Sequence, residues 1–197
     1  MSAPPAPPLV LASTSPQRRA ILEQLRIPFD VVAPRYEEDD PPRADAVRLV
    51  KAHAQGKARS VADVAGERPV LGVDTTVVLA GRIYGKCASA EDAAQMLETL
   101  SGQTHMVVSG LCMVTPGWEY VEAEATRVAF RPLTARDIAH YVSSGEWKGR
   151  AGAYAIQGLG AALVDEIEGD YLNVVGLPGG LLVRLLAERF AGVYGFG

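Results

Sequence analysis

The stretch LVLASTSPQRRAIL, residues 9–22, decides the fold. Its first five residues are short and apolar enough for a buried strand, and the Ser15–Pro16 pair then starts a helix with proline at its tolerated first position. A strand that passes through a turn of small hydroxyl residues into a helix is the opening unit of an α/β protein. The turn also carries an electrostatic oddity. Arg18 and Arg19 stand where the partial positive charge of a helix N-terminus disfavours cations by a few tenths of a kcal/mol. A bound anion resolves the conflict, because free N–H groups, the hydroxyls around Ser13 and the forked guanidinium of Arg18 together suit a phosphate. Arg18 precedes Ile21 and Leu25 by three and seven positions and so shares the inward face, whereas Arg19 is rotated away from it. A solvated basic surface with a capping serine is the plainer alternative.

Outward from this unit, FDVVAP reads as a second strand, and the polar RYEEDDPPRAD loop leads into a long helix from about residue 44 to 65. RPVLGVDTTVVLAG is a long strand. SAEDAAQMLETLSG is a helix capped by Ser89, with Asp92 at its third position and Gly102 beyond its end. HMVVSGLCMVTP and EYVEAEATRVAFR are two strands joined around Pro116 and Gly117, TARDIAHYVSSGE is a helix capped by Thr134, AALVDEI is a strand, and LPGGLLVRLLAERF is a closing helix with Pro178 near its start. Helices alternate with strands early and the strands then pair among themselves, which predicts a mixed sheet flanked by helices.

The 197 residues fit one compact unit, and 48% apolar with 21% charged residues is ordinary for a globular protein. A net charge of -4 argues against a broad nucleic-acid surface but leaves room for a small anionic ligand. MSAPPAPP lacks the basic residues and apolar centre of a signal peptide, and no apolar run is long enough to span a bilayer, so the expectation is a cytoplasmic protein with no membrane partner and a flexible tail over residues 1–8. Cys87 and Cys112 match no metal or CxxC spacing and read as buried, reduced thiols.

Charges set into apolar patterns mark candidate chemistry. The stripe Val47, Val50, Ala54, Lys57, Val61 places a lysine on the inward face of the long helix, where it either snorkels to the core edge or meets an anion in a cleft. Asp74 interrupts the apolar VLGVDTTVVLA strand and needs a compensating cation: a basic side chain from elsewhere, or a metal ion, with proton transfer as the catalytic option. Glu37 and Glu38 are natural second contributors to a magnesium site, since that ion takes one or two carboxylates plus water and substrate phosphates. GRIYGKC, residues 81–87, is one residue short of a P-loop and lacks its hydroxyl, although Lys86 can still reach the Asp74 cleft. GLGAAL, residues 158–163, precedes a strand where a dinucleotide fingerprint requires a helix. Gln157 offers a neutral amide suited to the donor and acceptor edge of a base. His53, His105 and His140 show no catalytic or metal spacing.

LASTSPQRRAIL, PRYEE, GVDTTVVLAGRIYGK, AAQMLETLSGQTH, YVSSGEWKGRAGAYAIQGLGAALV and GDYLNVVGLP, taken in order from about residue 9 to 190, resemble the Maf family of nucleoside triphosphate pyrophosphatases. The resemblance implies a single domain over 9–197, a two-lobed α/β fold with a central cleft similar to that of inosine triphosphate pyrophosphatases, a homodimer, and metal-dependent (Mg2+ or Mn2+) hydrolysis of a nucleoside triphosphate to monophosphate and pyrophosphate. It places the catalytic aspartate at Asp74, phosphate contacts at Ser13, Arg18, Lys57 and Lys86, and the metal-associated glutamate at Glu38, with Asp74 the other metal contact. DTT and AIQG resemble the branch that accepts dTTP and UTP, where Thr75 and Gln157 contact the base, and differ from the 7-methyl-GTP branch. Gln17 stands where the dTTP/UTP branch usually has arginine, which makes it a further specificity position. The alternative reading of the same cleft is a non-catalytic nucleotide-binding regulator of cell division or septum formation.

Overall fold

The computed structural model describes residues 6–39, 41 and 44–197. Residues 1–5 of the expected tail, and Asp40, Pro42 and Arg43 of the acidic loop, lie outside the described residues. Strands β1 (Leu9–Leu11), β2 (Phe29–Val31), β3 (Val70–Leu79), β4 (Arg82–Tyr84), β5 (Thr104–Thr115), β6 (Trp118–Phe130) and β7 (Val164–Glu168) form one sheet in the order β2-β1-β3-β5-β6-β7, with β4 folded back on β3. β1 runs parallel to β2 and β3, and every other pairing is antiparallel. The expected mixed sheet is therefore present: α1 (Pro16–Gln24) makes the early crossover, and the β5–β6 hairpin supplies the antiparallel half.

Side-chain alternation along the central strands sorts the core into faces. Leu9, Leu11, Leu71, Val73, Leu111 and Met113 pack with α1 and with α7 (Gly179–Arg189), whereas Val10, Val70 and Cys112 pack with Ala54 and Ala58 of α2 (Ala46–Arg59). At the far end, Val77, Val107, Val128 and Phe130 meet α4 (Ala90–Leu100) and α5 (Ala135–Ser144). Capping boxes at Ser89 with Asp92 and at Thr134 with Asp137 start α4 and α5 where the sequence places them.

Several local expectations are corrected. The helix from 44 to 65 is two: α2 ends at Arg59, where the Ser60 hydroxyl bonds back to the Lys57 carbonyl at 2.8 Å, and α3 (Ala62–Ala65) is a separate turn. Val47, placed on the inward stripe, is 45% exposed, and the buried residues of α2 begin only at Val50. The strand expected at AALVDEI begins only at Val164, since Leu159–Leu163 is a 3-10 segment. The short β4 and α6 (Tyr171–Val175) carry too few residues for a periodic signal. Both cysteines are free, but Cys87 is half-buried beside the Met96 sulfur and only Cys112 is buried. Among the described residues no helix is long and apolar enough to cross a membrane.

Candidate active site

Asp74 lies on the face of β3 that also carries Val70 and Gly72, the face covered by α2. Close approach of α2 depends on Gly72 and Gly110. A side chain at Gly72 would collide with the Ala54 carbonyl, and one at Gly110, the cross-strand partner of Asp74, with the Val50 carbonyl. With the helix seated this low, Lys57, one turn after Ala54, reaches Asp74: its Nζ donates to Asp74 Oδ1 at 2.6 Å. The same ammonium lies 2.6 Å from Glu38 Oε1. The inward lysine is thus explained by two carboxylates, and the acid in the apolar strand by a lysine. Burial alone would raise the Glu38 pKa, but the hydrogen bond and charge of Lys57, with help from Lys86 and His53, bring it below its ordinary value. Glu37, offered with Glu38 as a metal contributor, does not line this pocket.

The first β–α turn supplies the second half of the site. Arg18 is held in a fixed pose: Nε donates to the Gly176 carbonyl at 2.9 Å and Nη1 to Ser13 Oγ at 3.1 Å. Ser13 Oγ also accepts from the Ser15 N–H, and the Ser15 hydroxyl donates to Gln17 Oε1. Thr75 Oγ1 is 2.8 Å from Ser109 Oγ and within reach of Arg18 and the Gly176 carbonyl. Burial draws the Arg18 pKa down while Asp74 and Glu38 oppose the shift, and a guanidinium so placed stays charged at neutral pH.

These groups converge on one pocket of about 460 Å³. Ser13, Gln17, Arg18, Glu38, Lys57, Asp74, Thr75, Lys86 and Gln157 all line it, so the residues singled out as catalytic, binding, specificity or metal positions border the same hollow, with Glu37 the exception. Arg19 is exposed and does not. GRIYGK is not a P-loop: it holds the turn and second strand of the β3–β4 hairpin, and it delivers Lys86, whose backbone bridges to Ala151. That bridge draws in a segment that sequence reasoning left without a role: Lys148 and Arg150 also line the pocket. Basic residues in a loop resemble solvated surface, and only the neighbouring buried AYAI run, with Ala153 at a φ of 58°, hinted that this loop is fixed. The histidines stay outside: His105 is packed against Phe130 and Tyr154 in the core.

Asp74 and Glu38 each give one oxygen to Lys57 and keep another. Among the described residues no group of three His, Cys, Asp or Glu side chains is placed to hold a metal ion. Two carboxylates beside an open polyanion pocket fit a magnesium-like ion, which fills its remaining positions with water and substrate phosphate, and do not fit a closed all-protein site.

Five cations around two carboxylates, set at the helix-facing edge of a mixed sheet, define an α/β protein shaped for a compact polyanion such as a nucleotide polyphosphate. Residues 8–189 match the family described as Maf-like protein, and the chain belongs to that family. It is 43% identical over 197 residues to a dTTP/UTP pyrophosphatase of Deinococcus radiodurans, with all of both chains covered. It is 48% identical to one of Gloeobacter violaceus over 91% of this chain and 95% of the relative, and 46% identical to one of Escherichia coli O157:H7 over 86% and 87%.

Proposed function

We propose that this chain hydrolyses nucleoside triphosphates to monophosphate and pyrophosphate, with dTTP and UTP as preferred substrates. The observation that carries the reading is the Lys57 ammonium joining Asp74 and Glu38 inside a pocket lined by four further cations. The names of the full-length relatives point the same way.

In this reading Arg18, Lys57 and Lys86 hold the polyphosphate, and Ser13 keeps Arg18 in position. Water attacks the α-phosphorus and loses its proton to Asp74 as the bond to the bridging oxygen breaks, and pyrophosphate departs with the electron pair. Asp74 and Glu38 would hold a divalent Mg2+ or Mn2+ ion, which when bound neutralises phosphate charge and acts as a Lewis acid. Preorganised charge supplies most of the acceleration. Gln17 and Gln157 border the pocket where the amide groups can read a base edge, and Thr75 fixes Arg18 beside them. A cytoplasmic homodimer that binds no nucleic acid accompanies this reading, consistent with the net charge of -4.

The test incubates purified protein with dTTP, UTP and 7-methyl-GTP, with and without Mg2+ or Mn2+, and follows phosphorus products. Pyrophosphate as first product, fastest from dTTP and UTP and lost on chelation, is the expected result. Orthophosphate as first product would make the chain an ordinary phosphatase, and tight binding without turnover would make it a regulator.

A further inference from the structure

Arg150 is the anomaly that the chemistry above leaves without a task. It lines the pocket, yet its Nε is buried without a hydrogen-bond partner, and its guanidinium forms no ion pair among the described residues. A buried donor on a charged group is costly to leave unmet, so one kept beside an open pocket points to an acceptor that arrives with a ligand. The nearest acid in sequence is Glu146. Its own Oε2 is buried and unpartnered against Gly158, and it does not pair with Arg150.

Position narrows the ligand. The Lys86–Ala151 bridge, with the Gly152 N–H donating to the Tyr84 carbonyl at 3.0 Å, fixes Arg150 in the residue next to the partner of Lys86. Of the other pocket cations, Lys57 is occupied by two carboxylates and Arg18 by Ser13 and Gly176, while Lys148 lies over the Trp147 ring. Among the described residues neither Lys86 nor Arg150 makes a side-chain hydrogen bond or ion pair, although the charge of Lys86 is felt at Glu38, so both remain available to the charged end of a polyphosphate. A forked guanidinium beside an ammonium is the donor set for two linked phosphates.

We infer that Arg150, held beside Lys86, is the binding residue for the β- and γ-phosphates and for the pyrophosphate that leaves. The inference rests on the proposed pyrophosphatase reading. It assigns discrimination by phosphate-chain length to the 148–151 segment and leaves the nucleoside to the first β–α turn. A nucleoside monophosphate, lacking those two groups, does not engage Arg150.

The test is calorimetric titration of wild type and Arg150→Gln with inorganic pyrophosphate and, separately, with thymidine monophosphate. The variant is expected to bind pyrophosphate about tenfold or more weakly, the scale of a lost charge-assisted contact, with monophosphate affinity within about twofold. Arg150→Lys, which keeps charge and loses the fork, is expected between the two. Unchanged pyrophosphate affinity, or an equal loss for both ligands, overturns the assignment. A measurement without any substitution covers a variant that fails to fold: in wild type, pyrophosphate and not monophosphate should shield Arg150 from phenylglyoxal, read by peptide mass spectrometry, and an unshielded Arg150 also overturns it. If wild type releases pyrophosphate from dTTP while these results are negative, the enzyme reading stands and only Arg150 is misassigned. If no nucleotide is hydrolysed, the reading itself fails.

Discussion

Lys57 on α2 and Asp74 on β3 meet at 2.6 Å, each a charge set into an otherwise apolar face. The pair is asymmetric, because Glu38 also holds Lys57 whereas, among the described residues, Lys57 is the one cation bonded to Asp74. Asp74→Asn therefore leaves Lys57 neutralised, and the variant is expected to fold with a nearly unchanged melting midpoint while turnover falls by about 100-fold or more, the scale of a lost proton-transfer group. Lys57→Met instead strands two carboxylates and is expected to cost about 3 kcal/mol by urea titration. Near-normal pyrophosphate release by Asp74→Asn would remove Asp74 from the chemistry.

The glycines beneath α2 couple stability to the site. Gly110→Ala forces a methyl group against the Val50 carbonyl, and Gly72→Ala one against the Ala54 carbonyl. Backbone atoms cannot rotate away, so the helix must lift, at about 1–3 kcal/mol for overpacking. Lifting α2 also draws Lys57 from Asp74. Both variants are expected to lose activity beyond their loss of stability, measured as turnover at a temperature where denaturation curves show the variant still folded.

Much of this site was legible because a charge inside a periodic apolar pattern has few innocent explanations: Asp74, Lys57 and Arg18 each stood out in that way. The partner of Asp74 was not legible, since an arginine, a metal or a lysine satisfies the same electrostatic demand and only the height of α2 over the sheet selects Lys57. Glu37 and Glu38 were indistinguishable by physics, and the loop's path brings only Glu38 to the ammonium. Arg150 carried no signal of its own, because it sits in a loop without periodicity that is tied to the pocket through the pairing of its neighbour Ala151 with Lys86. The break at Ser60 was hidden too: the hydroxyl that ends α2 is one that a helix elsewhere tolerates.

His105 predicts an acid limb in stability. Burial pushes its pKa from 6.5 down to about 4, with Nε2 bonded to the Tyr154 hydroxyl at 3.0 Å and the ring packed edge-on against Phe130. In the unfolded chain the imidazole gains a proton below about 6.5, and in the folded chain it stays neutral until about 4. The unfolded state binds the extra proton in that window, so this stability is complete above pH 6.5 and declines as pH falls, by about 3 kcal/mol over the interval. Urea midpoints measured from pH 7 to 4 should show the decline in wild type. His105→Gln, less stable at pH 7, should show a flatter slope, and equal slopes would assign the acid sensitivity elsewhere.

The two thiols should separate by reactivity. Cys112, fully enclosed between the sheet and α2, has its pKa pushed up to about 12 by burial, with Glu119 adding to the rise and Arg59 opposing it. Cys87 is half-buried, and burial with the charge of Asp92 raises its pKa as well. The thiolate is the reactive form, so neither cysteine is activated at neutral pH, but access differs. With an aromatic disulfide reagent, the native protein is expected to titrate one thiol slowly and the denatured protein two rapidly. Cys87→Ser should abolish the native reaction, whereas Cys112→Ala should leave its rate unchanged. Fast reaction of Cys112 in the native protein would mean that α2 opens from the sheet, and the Lys57–Asp74 contact with it.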